Sequence, residues 1–352
     1  MGIEKLTARR SGYAAYGAGL VALDLLLSPE LDGVPAYAGG TCGNVLTILA
    51  FLGWRSYPIA RIGSDPAGQQ LTRDLKRCGV DLSLIEVDSR TRTPIIIQQN
   101  RRGPNGDVSH RFIWQCPSCK GFLPMFRPPT LKRALDVLAN VEGANVFFFD
   151  RVAAATVLFA EEIAARGALV VFEPARASDE PLFQRALAAA HIVKYAKDRV
   201  PAPRGLGKNQ LLEIQTLGKD GLRFKLRGER QWVMSKASKA PNAIRDTSGA
   251  GDWTTAGIVD YLTRRGWRGP QLSECMILEA VRYGQALAAI NCGFDGARGT
   301  MYHLSPKQLS ARVRRLVTGG LTARKSSTAS NVAQDRYSAA YCGACWPHDR
   351  MQ

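Results

Sequence analysis

The sequence is poor in histidine and has no long apolar run. Its 352 residues include four histidines, which argues against a metal site built mainly from imidazoles. The most apolar stretch, Gly12 to Leu27, is interrupted by Asp24 and falls short of the roughly 20 residues that a membrane-spanning helix needs. The motifs Gly-x-x-x-x-Gly-Lys-Ser/Thr, His-Glu-x-x-His and Gly-x-Ser-x-Gly are also absent, which excludes three common kinds of catalytic or phosphate site. We expect no membrane association.

The N-terminal stretch permits two interpretations. Lys5 to Arg10 is basic and precedes the apolar run, as in a secretory signal. The Gly/Ala/Leu pattern that ends near Pro29 also fits a buried first strand, and Asp24 inside the run favours the strand. We therefore expect a cytoplasmic protein. Eight cysteines in a chain of this length fit reduced thiols in that compartment.

Positive charge dominates the composition. The 47 lysines and arginines outnumber 30 acidic residues, which gives a formal net charge of +17. These basic residues are scattered through the chain, which favours a small anionic substrate or cofactor over nucleic acid. With 45% hydrophobic residues, the chain can bury one large core with an appendage, or two smaller cores.

Strand-like apolar runs alternate with helical patterns along most of the chain. This alternation predicts a doubly wound α/β fold, with a mostly parallel sheet flanked by helices. The predicted strands are Tyr16 to Leu23, Tyr57 to Ile62, Asn145 to Phe149, Ala168 to Phe172, Ile192 to Tyr195 and Leu212 to Leu217. The predicted helices are Gly43 to Leu52, Ala67 to Cys78, Leu131 to Asn140, Ala153 to Arg166 and Pro181 to Ala190.

Two regions interrupt this alternation. Thr93 to Gln99 and Val108 to Trp114 flank a Gly/Pro/Asn turn, which predicts an antiparallel hairpin outside the main sheet, in the role of a flap or lid. After Val317 the chain becomes rich in Gly, Ser, Thr and Ala, which is typical of a linker. We expect a main domain over residues 1–318, with a small β lid from about 24–38 and 92–115, and a linker with a Cys-containing tail over 319–352.

The segment from Asp246 to Asp252 reads Asp-Thr-Ser-Gly-Ala-Gly-Asp and precedes the predicted helix Trp253 to Leu262. Its small residues allow successive backbone N–H groups to converge at a helix N-terminus, which makes an anion hole. A carboxylate there would repel phosphate, but Asp252 is well placed to take a proton from a hydroxyl that attacks phosphorus. The alternative is an ordinary helix cap with a glycine turn.

This segment resembles the C-terminal signature of the ribokinase-like (PfkB-type) sugar and nucleoside kinases. The resemblance implies that Asp252 is the general base and that Gly249, Ala250 and Gly251 form the anion hole. It places Asp246 near the cation and phosphate sites.

The N-terminal half also resembles this family. Gly39-Gly40-Thr41-Cys42-Gly43-Asn44 and the later Arg61 to Gly68 are similar to its N-terminal signature. The resemblance implies that Gly39, Gly40 and Asn44 contact sugar hydroxyls. It also places Asp24 at a substrate-binding position, where a carboxylate can accept two hydroxyl hydrogen bonds.

Two later stretches resemble the family's nucleotide-binding parts. Thr216 to Gly221 is similar to a strand and turn beside the nucleotide, which implies that Thr216, Gly218 and Gly221 approach the phosphates. Asn291 to Ala297 resembles the loop that closes over the adenine, so Asn291 is a candidate nucleotide-binding residue.

The sequence also departs from the family pattern. Cys42 stands where Gly, Ala or Pro is usual, and Leu46 replaces a small residue. After the strand ending at Tyr195, Ala196 stands where family members commonly have an asparagine followed by acidic residues that organise magnesium and phosphates. Asp198 or Lys194 would then have to compensate, so metal handling is the least supported part of this interpretation.

Glu173-Pro174-Ala175-Arg176 resembles the Asp-Pro-x-x-Arg turn of fructokinase-like and ketodeoxygluconate-kinase-like members. An acid at the carboxyl end of a strand faces the ligand crevice of an open α/β sheet. Glu173 and Arg176 are therefore candidate substrate contacts, and the alternative is a simple ion pair between them.

Two Cys-x-x-Cys pairs lie outside the family pattern. Cys116 and Cys119 follow the predicted lid, and Cys342 and Cys345 lie in the tail. Four thiolates could hold structural Zn²⁺, and the alternatives are a redox pair or unrelated free thiols.

Together these features predict the transfer of the γ-phosphoryl group of ATP to a hydroxyl of a sugar or sugar-acid substrate. Magnesium is implied by the chemistry, and a K⁺ ion and a homodimer built from the lid strands are implied by the resemblance. The competing hypothesis is a ligand-binding or regulatory protein that kept the fold and lost efficient catalysis. Ala196 favours that alternative, whereas the intact Asp252 argues against it.

Overall fold

The structure is a computed structural model that describes residues 12–28, 31, 33–103, 108–178, 180–203, 210–267 and 272–318. Its strands are β1 (Ala14–Ala18), β2 (Ala22–Leu27), β3 (Ala36–Gly39), β4 (Arg55–Ile62), β5 (Ile85–Val87), β6 (Ile95–Arg102), β7 (Val108–Ile113), β8 (Val146–Phe149), β9 (Leu169–Phe172), β10 (Ile192–Ala196), β11 (Leu212–Thr216), β12 (Leu222–Leu226) and β13 (Val233–Ser235). Its helices are α1 (Thr41–Phe51), α2 (Pro66–Arg77), α3 (Leu131–Asn140), α4 (Ala154–Ala165), α5 (Pro181–Ala189), α6 (Ala250–Arg264), α7 (Glu274–Asn291), α8 (Gly299–His303) and α9 (Pro306–Val317).

Nine strands form the main sheet in the order β13-β12-β11-β10-β9-β8-β1-β4-β5. The pairs from β11 through β5 are parallel, and β12 and β13 add an antiparallel edge beyond β11. This arrangement confirms the predicted doubly wound α/β architecture. In such a sheet the carboxyl ends of neighbouring parallel strands meet at one edge, where ligands of open α/β folds bind.

Helices cover both faces of this sheet. In β8, Val146 and Phe148 pack into the core on one face, whereas Phe147 and Phe149 pack into the core on the other. Successive residues of a strand point to opposite faces, and all four are buried because neither face is left to solvent. This double burial explains the unbroken apolar run in the sequence.

Several helices begin where the sequence supplies a cap. The Asp65 side chain accepts a hydrogen bond from the backbone of Gly68, and Pro66 occupies the first turn of α2. Ser305 and Gln308 form a reciprocal capping box at the start of α9. These contacts satisfy N–H groups that have no partner within the helix.

A second sheet has the strand order β3-β2-β6-β7. Strand β2 pairs with β3 in antiparallel and with β6 in parallel orientation, and β6 and β7 form an antiparallel hairpin. We call this four-stranded sheet the lid.

The predicted first strand, Tyr16 to Leu23, is in fact two strands. The chain leaves the main sheet after Ala18 and enters the lid at Ala22. At the break, the backbone N–H of Leu20 donates to Oδ1 of Asp150, 2.8 Å away. The apolar pattern continues through both strands, so it could not reveal this change of sheet.

In the described ranges, no helix combines the length and the apolar character that a bilayer crossing requires.

Candidate active site

The candidate site lies at the carboxyl-end edge of the main sheet, under the lid. Asp150 and Glu173 follow the ends of β8 and β9 there, and β10 ends there at Ala196. Helix α6 begins at the same edge, since Thr255 of α6 hydrogen-bonds to Glu173. The segment Asp246 to Asp252 is therefore brought to the place where an open α/β fold binds ligands.

The glycine-rich turn begins helix α6. Gly249 is the N-cap with φ 70°, and a Cβ at this position would lie 2.2 Å from the carbonyl oxygen of Ala297. Both the backbone conformation and the space therefore require glycine. Ala250, Gly251 and Asp252 form the first turn, whose N–H groups lack intrahelical acceptors. The turn therefore presents backbone N–H groups at the ligand edge of the sheet, and the anion hole stays a prediction.

Asp252 lies in this first turn and is half-buried. Its Oδ2 accepts a hydrogen bond from Nδ2 of Asn44, at 2.8 Å. Burial, with smaller contributions from the charges of Glu173 and Asp150, raises the pKa of Asp252 to about 8, against the opposing effects of the Asn44 hydrogen bond and of Lys194. A carboxylate with this pKa can exchange a proton near neutral pH.

Asp24 lies on β2, in the lid. Its Oδ2 accepts a long hydrogen bond of 3.3 Å from the backbone N–H of Gly40, and among the described residues its buried Oδ1 has no hydrogen-bond partner. Burial raises the pKa of Asp24 to about 7, an effect that the Gly40 hydrogen bond and Arg298 oppose. A Cβ at Gly39 would lie 1.9 Å from Asp24 Oδ2, so glycine leaves room for the carboxylate.

Helix α1 connects these two carboxylates. Gly40, which contacts Asp24, caps the helix, and the backbone N–H of Asn44 donates to the carbonyl oxygen of Gly40 at 2.7 Å. Asn44, which contacts Asp252, therefore lies one helical turn further on. One turn rises about 5.4 Å, so both carboxylates lie against the same end of α1.

A cavity beside Asp24 is lined by Tyr37, Gln98 and Arg298. Arg298 is buried, and its guanidinium contacts the carbonyl oxygen of Ala38 and the carboxylate of Asp74, the latter at 2.8 Å. Coulombic attraction from Asp74 and Tyr302 raises the pKa of Arg298 despite its burial. Arg298 therefore fastens the lid strand β3 to α2.

Glu173 pairs with Lys194 and not with Arg176. The Nζ of Lys194 lies 2.8 Å from Oε2 of Glu173, and Thr255 donates to the other carboxylate oxygen. Arg176 is exposed. The alternative prediction of an ion pair between Glu173 and Arg176 is therefore wrong, because Lys194 is the partner of Glu173.

Asp246 is fully buried and engaged by N–H donors. Its Oδ1 accepts from the backbone of Ser248 at 2.8 Å, and its Oδ2 accepts from Gln98 and from the backbone of Gly296, both at 2.9 Å. These bonds tie the glycine-rich turn to the lid and to the loop before α8.

Asn291 is also fully buried. Its amide N–H groups donate to backbone carbonyls of Ser248, Gly296 and Ala297, and its oxygen accepts from Thr300. The side chain therefore holds the Gly296 loop against the turn that contains the anion hole.

A histidine of the lid also contacts the glycine-rich turn. His110 of β7 lies with Nδ1 3.2 Å from Oγ1 of Thr247, and Arg199, just after β10, approaches its Nε2 at 3.5 Å. Burial lowers the pKa of His110, Asp246 opposes that effect and Arg199 adds to it. The lid thus contacts the turn through both Gln98 and His110.

The candidate nucleotide residues lie at the end of β11. Thr216 is level with Ala196 of β10 in the parallel register. Gly218 and Gly221 both have positive φ, at 60° and 103°, in the tight turn that leads to β12. This turn stands beside β10 at the same edge of the sheet as the anion hole.

Metal ligands are sparse in this region. In the portion of the chain that the structure describes, no group of three or more His, Cys, Asp or Glu side chains could hold a metal ion. Asp198 is exposed beyond β10. Cys116 and Cys119 lie in one tight turn, whereas Cys342 and Cys345 lie outside the described residues.

Sequence reasoning missed several contacts of the site, among them Asp150 and Thr255. Asp150 ends β8 and binds Arg151 at 2.6 Å, and its place at a strand's carboxyl end was an available signal. Lys194 was considered only as compensation for Ala196. A lysine inside the apolar run Ile192 to Tyr195 was itself a signal, because buried lysines are rare unless paired.

A carboxylate beside the N-terminal turn of a helix, at the ligand edge of an α/β sheet, is typical of a phosphoryl-transfer enzyme. These features place the protein in that class. The sequence model described as pfkB family carbohydrate kinase matches residues 27–302. The chain therefore belongs to this family and is a carbohydrate kinase.

Two kinds of relatives support this assignment. A fructokinase of Escherichia coli is 27% identical over 313 residues, which cover 81% of this chain and 94% of that protein. An uncharacterized sugar kinase from Pyrococcus horikoshii, solved in complex with ATP, has a TM-score of 0.60 at 21% identity and covers 85% of this chain and 99% of its own. The aminoimidazole riboside kinase from Salmonella enterica has a TM-score of 0.58 at 19% identity, with 85% and 99% covered. These structures show a ribokinase-like fold.

Proposed function

We propose that this protein transfers the γ-phosphoryl group of ATP to a hydroxyl of a sugar or sugar-acid substrate, with Asp252 as the general base. The observation that carries the proposal is the placement of Asp252 in the first turn of α6, beside the anion hole and hydrogen-bonded to Asn44. A cap alone would not need a half-buried carboxylate with a pKa of about 8.

The acceptor would lie between the lid and α1. The unpartnered Oδ1 of Asp24 would accept hydrogen bonds from acceptor hydroxyls, and Gly39, Gly40 and Asn44 would line the approach to Asp252. A hydroxyl held there loses its proton to the Asp252 carboxylate as its oxygen forms a bond to the γ-phosphorus. The bond from that phosphorus to the β,γ-bridging oxygen breaks, and its electron pair leaves with ADP.

The first acceptor to test is fructose, because the curated relatives include fructokinases. Glu173 and Arg176 resemble the turn of ketose-kinase and sugar-acid-kinase members. Glu173 is engaged by Lys194, however, so we propose Asp24 as the stronger acceptor contact. Ribosides are the second class to test, since a solved neighbour is an aminoimidazole riboside kinase.

The anion hole would stabilise charge on the transferred group. Gly249, Ala250 and Gly251 shape it, and first-turn N–H groups together with the positive end of the helix favour a phosphoryl oxygen there. Preorganised donors of this kind contribute on the order of 10²–10³-fold to kcat. The nucleotide would extend from this point towards Thr216, Gly218 and Gly221, with Asn291 and Asp246 holding the loops that enclose it.

Magnesium would be held mostly by the phosphates. Mg²⁺ usually keeps several waters and takes only one or two protein carboxylates, so the exposed Asp198 is compatible with the ion. When bound, it would neutralise phosphate charge. The fit of K⁺ beside Asp246 is poor, because both oxygens of this carboxylate already accept N–H bonds, and we derive no step from it.

An ATP-consumption assay across sugars, sugar acids and nucleosides tests the proposal, with Asp252→Asn as the control. We expect at least one acceptor to raise ATP turnover well above the variant, with phosphorylated acceptor as the product. If no acceptor raises turnover above that of the Asn variant, the proposal is wrong.

We also propose a structural Zn²⁺ held by Cys116, Cys119, Cys342 and Cys345. The first pair lies in a tight turn in which the N–H of Lys120 donates to the Cys116 carbonyl and Lys120 has φ 60°. Such a turn suits two thiolates on one ion. Metal analysis should find about one zinc per chain and none in a Cys342→Ser/Cys345→Ser variant. Zinc-free wild-type protein would end this proposal.

Finally, we propose a cytoplasmic homodimer joined through the lid. Within the described residues, the thiols of Cys42, Cys78, Cys275 and Cys292 form no disulfide, which suits a reducing compartment. The aromatic side chains of Phe112 and Trp114 are exposed at the edge of the lid, where a second subunit could cover them. Light scattering should give twice the chain mass for wild type and a monomer for Trp114→Glu. A monomeric wild type would contradict the dimer.

A further inference from the structure

The buried Lys194 and the half-buried Glu173 form an ion pair beside the first turn of α6. Phe172 and Val193 are partners in the β9–β10 register, so the residues that follow them, Glu173 and Lys194, are level at the sheet edge. Lys194 is 4% exposed, and its Nζ lies 2.8 Å from Glu173 Oε2. An ammonium has three N–H donors, and within the described residues one of them has a protein acceptor, Glu173.

Gly251, in the first turn of α6, lies beside this ammonium. Gly251 has an ordinary helical backbone, and a Cβ added to it would meet one described heavy atom within 4 Å, Nζ of Lys194 at 3.6 Å. Neither backbone conformation nor crowding therefore requires glycine at this position. A side chain there would, however, stand between the ammonium and the first-turn N–H groups.

From this geometry we infer that Lys194 is a catalytic residue that contacts the transferred phosphoryl group. This inference rests on the proposed function and deepens it. The first-turn N–H groups of α6 would bind phosphoryl oxygens from one side, and the Lys194 ammonium would bind them from the strand side. Glu173 would position the ammonium, because its other oxygen is fixed by Thr255 of α6.

The surroundings of Lys194 support this role. Ala196 lies two residues further along β10, towards the proposed nucleotide site, and has no side-chain donor or acceptor. The residue after it, Lys197, is exposed. Lys194 is thus a buried cation beside the first turn of α6, with its Nζ 3.6 Å from the position of a Cβ at Gly251. A fixed positive charge in a water-poor site stabilises developing phosphoryl charge more than the same charge in water does.

The test is the difference between ATP-analogue and ADP binding in the full-length Lys194→Met variant. Calorimetry with a non-hydrolysable ATP analogue and with ADP should show analogue affinity falling at least about 10-fold, while ADP affinity stays within about 3-fold, because only the analogue carries a γ-phosphoryl group. The kcat should fall about 10²–10³-fold. Lys194→Arg should recover part of the analogue affinity, since it keeps the charge.

Lys197→Met is the matched control, because it removes an exposed lysine from the same strand end. It should leave the affinities for both nucleotides unchanged. Lys194→Met leaves the half-buried Glu173 without its counter-charge, so Lys194→Met/Glu173→Gln provides a second variant that removes both charges and keeps the fold. The same selective loss of analogue affinity is expected in that double variant.

The outcomes separate this inference from the proposed function. If wild type binds both nucleotides and the folded variants lose affinity for both equally, or for neither, Lys194 has a structural role and the inference is wrong. If wild type binds neither nucleotide, the proposed function itself fails. Selective loss of the analogue in both Lys194 variants supports the inference.

Discussion

The carboxylates at the two ends of the candidate active site have different kinds of partner. At the acceptor end, Asp24 and Asp252 are half-buried and accept hydrogen bonds from N–H donors, and desolvation raises their pKa values to about 7 and about 8. At the phosphate end, Glu173 is neutralised by Lys194 at 2.8 Å. Among the described residues, Glu173 has an ion-pair partner, whereas Asp24 and Asp252 have none.

This difference separates reactive from supporting carboxylates. Isolating a buried carboxylate is costly unless it binds a proton or a ligand, so Asp24 and Asp252 are poised for hydroxyl groups and protons. A paired carboxylate is satisfied and instead fixes its partner. The distinction predicts different consequences for mutations at the two ends.

The largest effect is expected for Asp252→Asn. The isosteric amide cannot accept a proton, so kcat should fall about 10²–10⁴-fold, while the KM for the acceptor changes by less than about 3-fold. Steady-state kinetics with the best acceptor measures this. Asp260→Asn is the matched control, since Asp260 is a buried carboxylate of the same helix that contacts Trp54 and Arg264. A similar loss of kcat in folded Asp260→Asn protein would contradict the assignment of the base.

Asp24→Asn should act mainly on acceptor binding. Hydrogen bonds to a charged group are worth about 1.5–3 kcal/mol, so the KM for the acceptor should rise roughly 10–100-fold. The affinity for ADP should not change, because Asp24 lies in the lid, away from the nucleotide strands. Titration of both ligands measures the two effects. Equal weakening of acceptor and ADP would instead indicate a general loss of structure.

A smaller effect is expected for Glu173→Gln, which changes the phosphate end. The charge of Glu173 raises the pKa of Asp252, so removing it should lower that pKa. Activity depends on the deprotonated base, and the acid limb of the pH–rate profile should therefore move to lower pH. Glu161→Gln, which changes an exposed acid paired with Arg185, should not move it. A limb that stays in place would show that the two ends are not coupled.

The parts of the fold that were predicted are those with local signals. Buried parallel strands are continuous runs of Val, Ile and Phe. The start of a helix such as α2 is indicated by its N-cap Asp65 and by Pro66 in the first turn. Strand β12 was missed because its apolar residues alternate with charged side chains, and β13 was missed because it has only three residues. The break between β1 and β2 was missed because the apolar pattern continues from one strand into the other.

The site was predictable to the extent that it is contiguous in sequence. The segment Asp246 to Asp252 carries its own turn chemistry, so its geometry follows from its residues. The pairing of Glu173 with Lys194 depends instead on β9 and β10 being neighbours in register. No sequence pattern distinguished this partner from Arg176, which is closer in the chain but exposed.

The smallest expected effect concerns stability. The pKa of Asp252 is about 8 in the folded protein and has an ordinary value of 3.8, so the folded state binds this proton more tightly than the unfolded state. The corresponding stability is fully present below about pH 4 and is lost as pH rises towards about 8. Asp252→Asn removes this dependence.

The Tm of the Asp252→Asn variant relative to that of wild type should therefore increase between about pH 5 and about pH 9. The increase should be a few degrees, since about 1 kcal/mol shifts Tm by roughly 2–4 °C in a large domain. Calorimetry at both pH values measures the change, with the exposed Asp198→Asn as control. An equal Tm difference at the two pH values would show that burial does not penalise the Asp252 charge, and the contrast between the acceptor and phosphate ends would then rest on geometry alone.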